Sequence, residues 1–257
     1  MLFGLLVVLG FGGAFLSGLV GVGGAIVMIP LLLYVPPLVG LEDLGIKAVA
    51  GITIVQVFAA SVVGLVGHRA SVDRALLLAL GPTMVGASLA GALLSVVVSP
   101  IILKVVFALM ASVAAVMMLT FRKRTVPETG GAIAFNVPAA VVAGTSVGLS
   151  AGLIGAGGAF FLIPVMLYGL RIPVRVTVGT SLAVVAASAA AGLLGKVATG
   201  QVDWVLALAL VIGALPGAWA GSYVSRRTST HRLVAVLGVA IALVAVRVWL
   251  DVLTGTA

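Results

Sequence analysis

The chain has 257 residues, of which 63% are hydrophobic and only 8% are charged, and its formal net charge is +8. Soluble globular domains have about a quarter of their residues charged. The low charged fraction of this chain and its mean hydropathy of +1.39 exclude that class. Cysteine is absent, which excludes disulfides, thiolate metal sites and cysteine nucleophiles.

The first apolar segment, residues 2–35, contains the motif GLVGVGGAIVMIPLLLY. Its clustered glycines can adopt positive φ angles, and its proline lacks the N–H that continues a helix. We predict that the chain turns inside the membrane at GVGG and returns as a half-helix whose free N–H groups point into the protein. The residues assigned to this turn are Gly21, Gly23, Gly24 and Ala25, with a helix break at Pro30.

Residues 136–169 repeat this pattern as GLIGAGGAFFLIPVMLY, with ten of seventeen positions identical at an offset of 134. The equivalent turn residues are Gly155, Gly157, Gly158 and Ala159, with a helix break at Pro164. Two such turns are predicted to build one anion site near the middle of the bilayer. The alternative is that these glycines only allow helices to pack closely.

The other apolar segments are about as long as a bilayer-spanning helix, roughly twenty residues. They are residues 48–66, 75–98, 101–121, 177–195, 202–224 and 233–250. Asp73 and Asp203 occupy equivalent places before two of these segments and are interpreted as N-caps. The sequence therefore predicts one all-α polytopic membrane domain with about 8–10 hydrophobic segments, made of repeats 1–121 and 136–257 joined by a cytoplasmic linker, 122–135.

Lysine and arginine positions distinguish two topologies. If residues 2–35 cross the membrane once, each side carries seven basic residues; if they enter and return, one side carries ten and the other four. Only the second arrangement obeys the positive-inside rule, and it makes the repeats inverted, each a broken or re-entrant hairpin plus three spanning helices. The four residues on the charge-poor side, where both termini are also placed, are Lys47, Lys104, Lys196 and Arg247.

The paired motifs, together with VGTSL at 178–182, resemble the TauE/SafE sulfite exporter family over essentially the whole chain. The resemblance implies transport of sulfite or small organosulfonates across the bacterial inner membrane. One departure is that Gly51-Ile52-Thr53 stands where the second half has Gly179-Thr180-Ser181, so the first half lacks one hydroxyl.

Polar residues inside apolar segments are costly in a membrane and are candidates for substrate contact. The candidates are Thr53, Gln56, Thr180 and Ser181, with Thr83 and Ser188 as further hydroxyls. Their alternative roles are hydrogen bonding to a carbonyl of the same helix for the hydroxyls and interhelical contact for Gln56. No carboxylate falls within the predicted spans, which favours an anion over a cation as cargo.

The predicted function is therefore a secondary transporter for a small oxyanion such as sulfite, sulfoacetate or taurine, embedded in the inner membrane. The alternatives are a permease for another small solute and a membrane assembly or scaffold protein. We expect no enzymatic activity, no cofactor and no metal. We expect no nucleic-acid partner, since the basic residues lie mostly in short connections. The oligomeric state is open, with a homodimer as one alternative.

Overall fold

The structure is a computed structural model that describes residues 1–20, 25–120, 135–225 and 230–254. Within these ranges the chain is built from helices and connections, with no strand. The helices are α1 (Leu2–Val20), α2 (Ala25–Leu38), α3 (Gly45–His68), α4 (Arg74–Leu94), α5 (Pro100–Thr120), α6 (Val137–Ile154), α7 (Ala159–Pro164), α8 (Val174–Ala198), α9 (Trp204–Ser225) and α10 (Thr230–Thr254). A 3₁₀ turn, Arg69–Ser71, follows α3, and a π-helical turn, Val165–Gly169, continues α7.

Six helices in the described part of the chain are long and apolar enough to cross a membrane. They are α3 with its 3₁₀ turn, α4, α5, α6, α8 and α9. The predicted fold class, an all-α polytopic membrane protein, is confirmed. Among these six, α3 and α8 have the largest share of residues buried inside the protein, so they form its centre.

The two predicted N-caps are confirmed. The carboxylate of Asp73 accepts the N–H of Leu76 at 2.8 Å, and that of Asp203 accepts the N–H of Leu206 at 3.0 Å. Each carboxylate thereby satisfies a backbone donor that the first turn of a helix leaves unpaired.

Equivalent helices exchange partners between the two halves. Helix α1 packs against α9, and α6 packs against α4. A side chain at Gly10 would meet the carbonyl of Leu210, and one at Gly144 would meet the carbonyl of Leu80. Gly10 and Gly144 are equivalent in the two repeats, and so are Leu210 and Leu80. At these positions glycine serves close helix packing, the role that small residues commonly have in membranes.

The direction of α1 and α6 follows from the same contacts. Gly213 and Gly217 of α9 lie against the carbonyls of Val7 and Phe11, so α1 and α9 run in the same direction. Helix α6 likewise runs parallel to α4, since Gly148 and Gly152 lie against the carbonyls of Met84 and Ser88.

Two ends of the helix bundle can be distinguished by their connections. The lysine end comprises residues 39–44, 95–99 and 199–203. Lys47, which follows the first range, donates from Nζ to the carbonyl of Val96 at 2.7 Å, and Ser95 Oγ donates to Gln201 Oε1 at 3.1 Å. The arginine end comprises residues 69–73 and 170–173, joined by a hydrogen bond from the N–H of Asp73 to Thr180 Oγ1 at 3.0 Å.

One predicted helix break is wrong. Pro30 lies inside α2, which continues as α-helix to Leu38. Pro30 is buried, and a membrane helix tolerates proline because neighbouring groups compensate for the lost hydrogen bond. At Pro164 the helix does change, because α7 ends there and continues as the π-helical turn.

Candidate functional site

The chain is interrupted at the second glycine motif. Helix α6 ends at Ile154 and α7 begins at Ala159, with Gly155, Gly157 and Gly158 between them at φ angles of 73°, 62° and 75°. These angles lie in the left-handed region, which L-residues with a side chain rarely adopt. The glycines are therefore required by the backbone geometry of this turn.

The turn leaves a run of backbone donors without an acceptor among the described residues. The N–H groups of Gly155 and Ala156 bond to the carbonyl of Ala151, and those of Phe161 and Leu162 bond to the carbonyl of Gly158. Between them, the N–H groups of four consecutive residues have no acceptor within the described ranges. These residues, all of them buried, are Gly157, Gly158, Ala159 and Phe160. Successive unpaired N–H groups in a glycine turn form a concave positive surface that suits an anion.

The turn lies between α3 and α8, deep in the protein. A side chain at Gly157 would meet Val57 of α3 and Val185 of α8, which are repeat-equivalent and lie near the middle of their helices. Gly158 lies against Met84 in the middle of α4. The free N–H groups are therefore far from both ends of the bundle.

The first glycine motif cannot be compared with the second. Gly21, Gly23 and Gly24 lie outside the described residues, and α2 begins at Ala25. The convergence of two half-sites thus stays a prediction.

Three of the candidate hydroxyls are already engaged. Thr53 Oγ1 donates to the carbonyl of Val49 at 2.6 Å and Ser181 Oγ to that of Val178 at 3.1 Å, both within their own helices. Thr180 instead accepts the N–H of Asp73, which ties α8 to the start of α4. In this conformation the hydroxyl protons of Thr53 and Ser181 are used within their own helices.

Gln56 differs from these hydroxyls. It is 1% exposed, and neither Oε1 nor Nε2 has a hydrogen-bond partner among the described residues. It immediately precedes Val57, the residue that packs against Gly157. A buried amide without partners loses its hydration without compensation, so Gln56 retains unused capacity to bind a polar ligand. The hydroxyl of Ser188 is buried and unpaired in the same way.

One buried carboxylate lies just beyond a predicted span. Asp251 falls in the last turn of α10, is 5% exposed, and forms an ion pair of 2.6 Å with Lys104 of α5. The guanidinium of Arg247 lies 4.4 Å from the ring centre of Tyr34 on α2. Asp251 lies one residue beyond the predicted span 233–250, within α10, which extends to Thr254.

Comparisons with known proteins agree with this architecture. The model of the family described as sulfite exporter TauE/SafE matches residues 6–248. A probable membrane transporter protein of Xylella fastidiosa (strain 9a5c) is 28% identical over 261 residues, covering 95% of this chain and 94% of that protein. The probable membrane transporter protein YunE of Bacillus subtilis (strain 168) is 33% identical over 98 residues, covering 38% of this chain and 36% of that protein. No solved structure matches the chain.

Proposed function

Because the chain belongs to the TauE/SafE sulfite exporter family, we propose that it is a secondary transporter for a small oxyanion in the bacterial inner membrane. The cargo is sulfite or an organosulfonate such as sulfoacetate or taurine, and no enzymatic reaction is assigned to the chain. The relatives are named as probable membrane transporter proteins, and the apolar helices support a multi-pass location in a membrane.

Four consecutive buried N–H groups, those of residues 157–160, carry this proposal. In hydrocarbon an unpaired N–H costs several kcal/mol, so four donors without an acceptor among the described residues favour a bound anion or water at this turn. The oxygens of a sulfite or sulfonate group are strong acceptors with negative charge. Such a group would satisfy several donors at once while the half-helix dipole stabilises its charge.

Gln56 is proposed as a side-chain ligand because its amide group is buried and has no hydrogen-bond partner among the described residues. The Nε2 group supplies two further donors, and the valines at 57 and 185 form apolar walls around the turn. Thr53 and Ser181 would donate to the anion only after releasing the helix carbonyls that they now bind.

We further propose that the two halves are inverted. Helix α9 runs from the lysine end to the arginine end, and α4 runs the opposite way. Since α1 is parallel to α9 and α6 is parallel to α4, the equivalent helices α1 and α6 run in opposite directions. Two inverted halves around a central site are the arrangement from which transporters open alternately to each side.

The arginine end is assigned to the cytoplasm. Its described arginines, Arg69, Arg74, Arg171 and Arg175, are all exposed. Among the lysines of the other end, Lys104 pairs with Asp251 and Lys47 binds a backbone carbonyl. This distribution supports the positive-inside orientation, with both termini on the non-cytoplasmic side.

Orientation and inversion can be tested with single cysteines, since the chain has none of its own. Phe3 precedes most of α1 and Asn136 caps α6, and both are exposed. A membrane-impermeant maleimide should label F3C in intact spheroplasts, whereas N136C should react only after permeabilisation. Labelling of both residues from the same side would contradict inversion.

Transport is tested by reconstituting the purified protein in liposomes and following uptake of sulfite, sulfoacetate and taurine. We expect saturable uptake of at least one of them above the leak of protein-free liposomes. Absence of uptake for all three, together with absence of any ligand-induced thermal stabilisation of the purified protein, would refute the proposed cargo class.

A further inference from the structure

Lys196 is a charged residue with an unusual environment. It lies in the last turn of α8 and is 0% exposed. Its Nζ donates to Ser95 Oγ at 2.7 Å, to Gln201 Oε1 at 3.0 Å and to the carbonyl of Leu153 at 3.3 Å. All three acceptors are neutral, and no ion pair of Lys196 occurs within the described part of the chain.

Burying this charge costs free energy. An ammonium group removed from water loses its hydration, and hydrogen bonds to neutral acceptors recover only part of that energy. The other buried charge in the described ranges, Asp251, has Lys104 as its counter-ion. Lys196 thus differs from Asp251 in carrying a net positive charge into the protein interior.

The position of Lys196 relates it to the glycine turn. A broken helix brings two opposite poles to the same place: the N-terminus of α7 attracts an anion, but the C-terminus of α6 repels it. Leu153 is in the last turn of α6, two residues before Gly155, and its carbonyl belongs to that negative pole. The ammonium of Lys196 lies directly on this carbonyl.

We infer that Lys196 determines the preference of the site for anions by neutralising the negative end of α6. This inference rests on the proposed function and names a positioning residue, since Lys196 acts through α6 rather than by contact with the substrate. The charge is present in one half only. The repeat-equivalent position is His68, an exposed residue whose Nδ1 lies 3.0 Å from the carbonyl of Gly64 in its own helix.

Charge and hydrogen bonding can be separated by substitution. Lys196→Gln keeps a donor for the Leu153 carbonyl but removes the charge, Lys196→Met removes both, and Lys196→Arg keeps the charge. Lys47→Gln is the matched control, because Lys47 lies at the same end and its Nζ donates to the carbonyl of Val96, which is not part of α6.

We expect the half-saturation concentration for sulfite uptake to rise on the order of tenfold in K196Q and K196M. This is the effect of losing one unit charge roughly 10 Å from the bound anion at an effective dielectric constant of about 20. The maximal rate, abundance and melting temperature of the folded variants should change less. K196R and K47Q should stay within about threefold of the wild type. A structural role alone would lower stability without shifting the half-saturation concentration.

The outcomes distinguish the inference from the proposed function. If the wild type transports sulfite and folded K196Q or K196M has the same half-saturation concentration, the role of Lys196 is overturned. The transport proposal is then left intact. An equal loss of affinity in K196R would also overturn it, since the charge is retained there. A wild-type protein that neither transports nor binds the three anions would overturn both.

Discussion

Replacing Gly157 with alanine adds one methyl group where the second glycine turn lies between α3 and α8. Gly157 has φ +62°, and the new Cβ would overlap Val57 Cγ1 and lie 3.4 Å from Val185 Cγ1. A residue with a side chain in the left-handed region costs about 1–2 kcal/mol. Overpacking of a well-filled interior adds about 1–3 kcal/mol, which gives a strain of roughly 2–5 kcal/mol at this turn.

A strain of about 2 kcal/mol already changes a conformational equilibrium by a factor of about 30. The turn can escape the strain only by leaving its positive φ geometry or by moving away from Val57. Either movement redirects the free N–H groups of residues 157–160. We therefore expect sulfite uptake by G157A in liposomes to fall at least about tenfold at equal amounts of folded protein.

Two companion variants make the result interpretable. Gly40 has φ +74° and open space around its Cβ position, so G40A carries the backbone cost without the steric one and should transport normally. Adding Val57→Ala to G157A removes the overlapping methyl and should recover part of the abundance and thermal stability. Folded G157A that transports at the rate of G40A would refute the assignment of the anion to this turn.

Three further substitutions separate ligand contact from structural support. Gln56→Leu should leave the melting temperature unchanged or higher, because the amide has no hydrogen bond to any described residue, while sulfite affinity falls on the order of tenfold; unchanged affinity would remove Gln56 from the site. Thr180→Val should cost about 1 kcal/mol of stability through the lost bond to the Asp73 N–H, with little effect on affinity, and a selective affinity loss would reveal a substrate contact. Asp251→Asn should destabilise the protein by about 1.5–3 kcal/mol because Lys104, which is 12% exposed, loses its counter-ion, as measured by thermal inactivation; full stability would show that the pair contributes little.

Much of the fold follows from local sequence features. The apolar segments predict membrane helices because their length matches the bilayer core, and six described helices meet that criterion. The spacing of Gly155, Gly157 and Gly158 places a turn where α6 ends, because only glycine adopts three such φ angles at little cost. Pro30 shows the limit of local inference, since the surrounding protein keeps α2 helical through it.

The polar candidates could be named from the sequence but not assigned to roles. Thr53, Thr180 and Ser181 are similar hydroxyl residues in apolar segments, yet two bond to their own helices and Thr180 accepts from a residue 107 positions away. The sequence marks Gln56 as an amide near the start of an apolar segment, but only the structure shows that this amide is buried without a partner among the described residues. Hydrogen-bond satisfaction depends on every neighbour of a group, and a single sequence does not specify those neighbours.

The sequence by itself determined the class of multi-pass membrane protein and the place of the second glycine turn, because these depend on hydrophobic length and the backbone freedom of glycine. Its internal similarity predicts a doubled architecture. The tertiary structure alone decided which N–H groups remain unpaired, that Lys196 is buried beside the end of α6, and that Lys104 meets Asp251 across 147 positions. These features arise from contacts between distant segments. Their energies depend on desolvation and pairing, which exist only once the helices are packed together.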